Sequence, residues 1–221
     1  MLIGKPTVFV RTGGCDYRCS WCDSLYAVLP EYKSEWKSMT IEDVFAEIQH
    51  LSGSQPVLVT LSGGNPAIQP LESLIDLGHR NSYTFAIETQ GSVFQPWFSS
   101  LDYLTVSPKP PSSGQVTHWE RLDRCVWIDS DQLDKKVKVC LKIVIFDEED
   151  YLYAKRVSLR YPGVPLYLQV GNHQPQGNNV DIPGILRRMD WLIQKALDDQ
   201  WYDATILPQL HVILWGNKRA V

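Results

Sequence analysis

Six short apolar runs constrain the fold of this chain more than any other feature. They are residues 8–10 (VFV), 57–61 (VLVTL), 84–88 (TFAIE), 103–106 (YLTV), 139–146 (VCLKIVIF) and 166–170 (LYLQV). Each is rich in β-branched and aromatic residues and nearly continuously apolar, the pattern of strands buried on both faces of a parallel sheet. Between them lie segments with helical spacing. In residues 40–51, TIEDVFAEIQHL, apolar side chains recur at Ile41, Val44, Phe45, Ile48 and Leu51, and Thr40 with Asp43 forms a capping-box start. Residues 70–77, 148–161 and 185–201 read as helices in the same way. Strand alternating with helix predicts an α/β fold of βα units on a parallel sheet. Six strands and about four helices suggest a partial (β/α) barrel of about six parallel strands. An open doubly wound sheet is the alternative that composition does not separate from it.

The polar breaks fall in register with the strands. VFV leads into RTGGC, VLVTL into SGGNP, TFAIE into TQG, YLTV into SPKPP and LYLQV into GNH. In parallel α/β folds the carboxyl ends of the strands converge on one face, which carries the active site. Gly and Pro punctuate loops everywhere, but five such breaks in register point to function.

The chain has 221 residues, enough for one domain with a substantial core. With 44% hydrophobic and 21% charged residues it reads as soluble and globular. No apolar run approaches the roughly 18–20 residues of a membrane helix, and the start MLIGKPTVFVRT lacks the h-region of a signal peptide. A cytoplasmic location follows as the expectation. The net charge of −4 and scattered Lys and Arg predict no nucleic-acid partner, and the lack of a long apolar run predicts no membrane partner.

Three of the five cysteines fall in the first break, GGCDYRCSWCD, as Cys15, Cys19 and Cys22, spaced C-x₃-C-x₂-C. In a reducing compartment such clusters are metal ligands or redox groups rather than disulfides. Three thiolates can hold three corners of an iron–sulfur cubane and leave one iron open. Zinc is the competitor, but a structural zinc site wants four protein ligands. Cys125 and Cys140 read as core cysteines. His50, His79, His118 and His173 read as surface groups.

With Trp21 just before the last cysteine, the motif resembles that of the radical S-adenosylmethionine (SAM) superfamily. Further pieces are similar to one member family, the 7-carboxy-7-deazaguanine synthases of queuosine and deazapurine biosynthesis. They are FVRTGGCDYRCSWCDS (9–24), TLSGGNPAIQ (60–69), AIETQGSVFQPWF (86–98), LTVSPKPPSS (104–113), KIVIFDEED (142–150), RYPGVPLYLQVGN (160–172) and LPQLHVILWGNKRAV (207–221). The resemblance implies a single radical SAM core domain over residues 1–221, in the short-loop form. Family members carry an N-terminal segment of substrate-binding residues with a GPTxQGEG-like motif, and the expectation is that this chain lacks it.

The resemblance also implies chemistry and partners. The family converts 6-carboxy-5,6,7,8-tetrahydropterin to 7-carboxy-7-deazaguanine with loss of ammonia. Its cofactors are a [4Fe–4S] cluster, SAM and Mg²⁺. Its electron donor is a flavodoxin or ferredoxin, and it forms a homodimer. Carried onto this sequence, Cys15, Cys19 and Cys22 hold the cluster and Ser24 binds Mg²⁺. Trp21, Gly64, Asn65, Glu88, Ser107, Pro108, Lys109, Gln169 and Asn172 face SAM. Arg11, Ser62, His211 and the terminal Val221 face substrate. Asn65 stands where many superfamily members carry Glu. Two other readings fit the cysteines alone: a glycyl-radical activase, which leaves SPKPP and WGNKR without a role, and a zinc-binding domain, which lacks a plain fourth ligand.

Overall fold

The computed structural model describes residues 2–128, 137–177 and 179–219. Among the described residues seven strands form one parallel sheet in sequence order: β1 (Thr7–Thr12), β2 (Leu58–Gly63), β3 (Thr84–Thr89), β4 (Tyr103–Val106), β5 (Lys138–Ile145), β6 (Leu166–Val170) and β7 (Ala204–Leu207). β1 and β7 are its edges, so the barrel is open. Among the described residues six α-helices join or follow the strands: α1 (Ile41–Leu51), α2 (Glu72–Arg80), α3 (Trp119–Val126), α4 (Glu148–Arg160), α5 (Ile182–Asp198) and α6 (Leu210–Trp215). The sequence accounts for six of the strands and four of the helices. β7 is a four-residue edge strand and α6 has six residues, too short to show a period, while α3 is a short but strongly amphipathic helix that the sequence reading passed over.

Local chemistry starts the longer helices. Thr40 Oγ1 accepts from the Asp43 N–H at 3.1 Å while Asp43 Oδ2 accepts from the Thr40 N–H at 3.3 Å, a complete capping box for α1. Asp147 Oδ1 caps α4 through the Asp150 N–H at 3.0 Å, and Asp181 Oδ1 caps α5 through the Gly184 N–H at 2.8 Å.

The core lies between the helices and the convex face of the sheet. Val59, Leu61, Phe85, Ile87, Leu104, Leu141, Ile143 and Leu168 are buried there against Leu74, Ile75, Tyr151, Val157 and Leu192 of α2, α4 and α5. Burying each such side chain is worth about 1.5–3 kcal/mol. The other face differs from the sequence expectation of strands buried on both sides. Alternate positions turn Arg11, Ser62, Glu88, Lys142 and Gln169 toward a central cavity. A strand rich in apolar residues on average can still carry a polar concave face, because the two faces of the sheet solve different problems.

Candidate active site

The loop from Gly13 to Ser24 follows β1 and closes one side of the cavity. The first glycines are held by backbone bonds: Gly14 N–H to Ala27 O at 2.7 Å, and Asn65 N–H to Gly14 O at 2.8 Å. Gly14 adopts φ +93°, a conformation glycine reaches without strain. Asp16 Oδ1 accepts from Asn65 Nδ2 and from Gln90 Nε2, both at 2.8 Å. Gln90 Nε2 also approaches Cys15 Sγ at 3.6 Å. On the other flank Gln176 Nε2 donates to Cys22 O at 2.8 Å.

The cavity has a volume of about 640 Å³. Cys15, Cys19 and Cys22 line it as free, half-buried thiols. Burial pushes the Cys19 thiol up to about 11; Lys109 opposes this, and Cys22 and Cys15 add to it. Burial also raises Cys22, with the Ser24 N–H opposing. Cys15 raises both thiols.

Cations dominate the wall opposite the loop. Lys142 pairs with Glu88 at 2.5 Å. Burial alone would raise the Glu88 carboxyl, but Lys142, Lys109 and Arg11 outweigh it and hold it below the usual carboxylate range. Lys109 Nζ donates to Ser107 Oγ at 3.1 Å and lies 6.0 Å from the Trp21 ring. Arg11 Nη1 donates to Ser24 Oγ at 3.2 Å, and Ser24 Oγ donates to Asp23 Oδ1 at 2.8 Å. His211 faces the same space from α6. Burial lowers its pKa; Asp23 opposes this, Lys142 and Arg11 add to it, and Glu88 opposes it.

Arg11, Cys15, Cys19, Trp21, Cys22, Ser24, Ser62, Gly64, Glu88, Lys109, Gln169 and His211 all line this one cavity. Asn65, Ser107, Pro108 and Asn172 do not. Asn65 is fully buried with both ends of its amide engaged: Nδ2 reaches Asp16 and Ser92, and Oδ1 accepts from Thr89 Oγ1 at 2.8 Å and the Ala67 N–H at 3.2 Å. It ties the cluster loop to β3 instead of facing a ligand. Ser107 and Pro108 are buried behind the wall, where Ser107 anchors Lys109. Asn172 is buried and binds Asn217 Oδ1 at 3.0 Å, which fastens the segment after α6. Val221 lies outside the described residues.

Other cavity residues escaped the sequence reading: Lys142, Gln90, Asp23, Tyr17, Trp215 and Arg219. Lys142 carried a signal, since a charge inside an apolar strand is rarely there without a partner. His79 also departs from the surface reading. Its Nε2 lies 2.9 Å from Asp102 Oδ2, which accepts from the Phe85 N–H at 2.7 Å, far from the cavity mouth in a structural corner of α2, β3 and β4. Cys125 and Cys140 are buried core thiols, at 0% and 1% exposure, as expected.

Three free thiols on one loop are the donor type that holds an iron–sulfur cluster. Among the described residues no three His, Cys, Asp or Glu side chains converge on one metal position. A tetrahedral zinc site needs such convergence. Thiolates on three different irons of a cubane do not.

An open parallel sheet with a three-cysteine loop over the carboxyl ends of its strands defines the class: this is a radical SAM enzyme. The fold is shared with E. coli QueE (TM-score 0.60, 22% identity, covering 93% of this chain and 86% of that one) and with Streptococcus suis SuiB bound to S-adenosylmethionine (TM-score 0.62, 11% identity, 92% and 50%). No family model matches the chain. It is 46% identical over 226 residues to the 7-carboxy-7-deazaguanine synthase of Bacillus subtilis, and 43% identical over 227 residues to that of Bacillus cereus. Both alignments span 100% of this chain and 92% of the relative. The chain therefore belongs to the 7-carboxy-7-deazaguanine synthase family. Membership of the radical SAM class implies a [4Fe–4S] cluster and SAM, and membership of the 7-carboxy-7-deazaguanine synthase family implies a small-molecule substrate. Among the described residues no helix is long and apolar enough to cross a membrane.

Proposed function

We propose that this protein converts 6-carboxy-5,6,7,8-tetrahydropterin to 7-carboxy-7-deazaguanine with loss of ammonia, in the cytoplasm. The observation that carries the reading is one cavity that joins three free thiols to Arg11, Lys109 and Lys142. When bound, the cluster and SAM supply the radical that removes hydrogen beside the substrate carboxylate. The residues of this chain hold and shield the reactants. Cys15, Cys19 and Cys22 would hold the cluster. Trp21, Gly64, Glu88, Lys109 and Gln169 would face SAM, with Ser107 keeping Lys109 in place and Asn65 and Asn172 acting from behind the wall.

A guanidinium can grip a carboxylate through two parallel bonds, which suits Arg11 to the substrate. Ser62, His211 and Val221 complete that set. His211 held neutral at pH 7 can accept a proton or hydrogen bond on one ring nitrogen and donate from the other. Ser24 Oγ and the adjacent Asp23 carboxylate offer the hard oxygens that suit Mg²⁺, which borrows further oxygens from substrate and water. A flavodoxin or ferredoxin supplies the electron, and the active form is a homodimer.

The test is anaerobic incubation of iron-reconstituted protein with SAM, a reductant, Mg²⁺ and the carboxytetrahydropterin. Formation of 7-carboxy-7-deazaguanine, reduced when Mg²⁺ is withheld, is the expected outcome. 5′-Deoxyadenosine without deazaguanine product would reject the substrate, and zinc-loaded protein that takes up no iron would reject the enzyme class.

A further inference from the structure

Two stretches of the chain have no part in this chemistry, FDEED at the β5–α4 junction and PSS after Lys109, yet they meet behind the cluster loop. Asp150 is fully buried. Its Oδ1 accepts from the Ser112 N–H at 3.0 Å, and its Oδ2 accepts from Ser112 Oγ at 2.6 Å and from the Phe146 N–H at 2.9 Å. Ser112 Oγ has thus committed its proton to Asp150. What remains is its acceptor side, and the Trp21 Nε1–H donates to it at 2.9 Å. Burial raises the Asp150 carboxyl, and its three donors oppose the rise.

The same short segment grips the residue before Trp21. Ser20 N–H donates to Ser113 O at 3.1 Å, and Ser20 Oγ donates to Ser112 O at 2.6 Å. The Trp21 ring then rests on Phe146, whose centroid is 5.1 Å away, on the residue whose N–H Asp150 also holds. One carboxylate thereby fixes both the edge and the face of the indole. A tryptophan ring has two torsions to lose, and a hydroxyl whose rotor is pinned by a buried carboxylate holds the indole better than a free one. Trp21 sits inside the Cys19–Cys22 turn, closed by the Cys22 N–H to Cys19 O bond at 3.2 Å.

We infer that Asp150 and Ser112 are positioning residues that act through Trp21: they lock the indole, and with it the Cys19–Cys22 turn, in the orientation that meets SAM. The SAM half of this statement rests on the proposed function; the indole half rests on the fold alone.

The experiment compares Ser112→Ala, Asp150→Asn, Trp21→Phe and the Ser112→Ala/Trp21→Phe double variant in the full chain. Before reconstitution, exchange of the Trp21 indole N–H is followed by NMR, its resonance assigned as the one missing from Trp21→Phe. After reconstitution, the dissociation constant for SAM is measured by equilibrium dialysis. Loss of one hydrogen bond predicts that Ser112→Ala weakens SAM binding about three- to tenfold and speeds indole exchange by about the same factor. In the Trp21→Phe background Ser112→Ala should then change SAM binding by less than about twofold. Equal losses in both backgrounds, or unchanged indole exchange, would overturn the relay and leave Ser112 a loop anchor only. If Asp150→Asn fails to fold, Ser112→Ala decides alone. Wild-type protein that binds no SAM would sink the functional reading, while indole exchange still decides the relay.

Discussion

Glu88 on β3 and Lys142 on β5 meet at 2.5 Å on the concave face of the sheet, across the intervening strand β4. The pair sets the charge of the cavity floor. Lys142 removes the penalty of holding Glu88 ionised, while Arg11 and Lys109, held by Ser24 and Ser107, keep their charge on the cavity wall.

Replacing Lys142 by Met should strand the Glu88 carboxylate. The expected loss in kcat/KM is on the order of tenfold to a hundredfold, as for a hydrogen bond to a charged group. The double variant with Glu88→Gln should be less impaired than Lys142→Met, because the stranded charge is gone. Steady-state kinetics on the four proteins check this; a double variant worse than both single variants would refute it.

The cysteines divide into two sets. Ala at Cys15, Cys19 or Cys22 should abolish iron uptake, since each faces the cavity and no other described cysteine can take its place. Ala at Cys125 should leave iron content unchanged and cost about 1 kcal/mol of stability through a small core void. Iron analysis after reconstitution, paired with urea unfolding, separates the two sets.

Much of this was legible in the sequence, and the misses have physical causes. Strand runs are visible because β-branched residues crowd into them, and the cysteine spacing survives on one loop. What the linear pattern hides is which way a polar side chain turns. Asn65 sits in a glycine-rich break like a ligand-facing residue, but folding turns its amide inward to satisfy Asp16, Ser92 and Thr89. Lys142 sits in an apolar run like an accident, but the pleat turns it into the cavity. β7 is as short as β4, but it lies at the sheet edge beside β6 with no buried position, whereas β4 has two, so its sequence carries no strand signal.

Gly64 shows the same distinction in a testable form. A Cβ there would fall 2.0 Å from Gly14 O, 2.6 Å from Gly14 C and 2.9 Å from Ala27 O. All three are backbone atoms that cannot swing aside. Gly64→Ala should therefore cost about 3 kcal/mol, the upper end for overpacking, and should lower Tm by about 6–12 °C. Calorimetry on the cluster-free protein makes the measurement independent of any ligand. A change below about 1 °C would show that the close approach of the two loops is not needed.

The last prediction concerns pH. Burial lowers the His211 pKa below 6.5, with Lys142 and Arg11 adding to the effect against Asp23 and Glu88. Unfolded His211 therefore takes up a proton at a higher pH than folded His211. Where the unfolded chain binds more protons, stability rises with pH. The contribution of this group is complete above about pH 6.5 and is lost as the pH falls through 6.5 toward the folded value. His211→Asn removes that dependence, so its urea midpoint should vary less than wild type between about pH 5 and 7. The same protonation adds a positive charge to a cavity already lined by Arg11, Lys109 and Lys142 and removes a hydrogen-bond acceptor from it. The acid limb of the kcat/KM profile should accordingly lie below pH 6.5 in wild type and shift in His211→Asn. Identical slopes of stability against pH in the two proteins would show that His211 is as solvated in the folded chain as in the unfolded one.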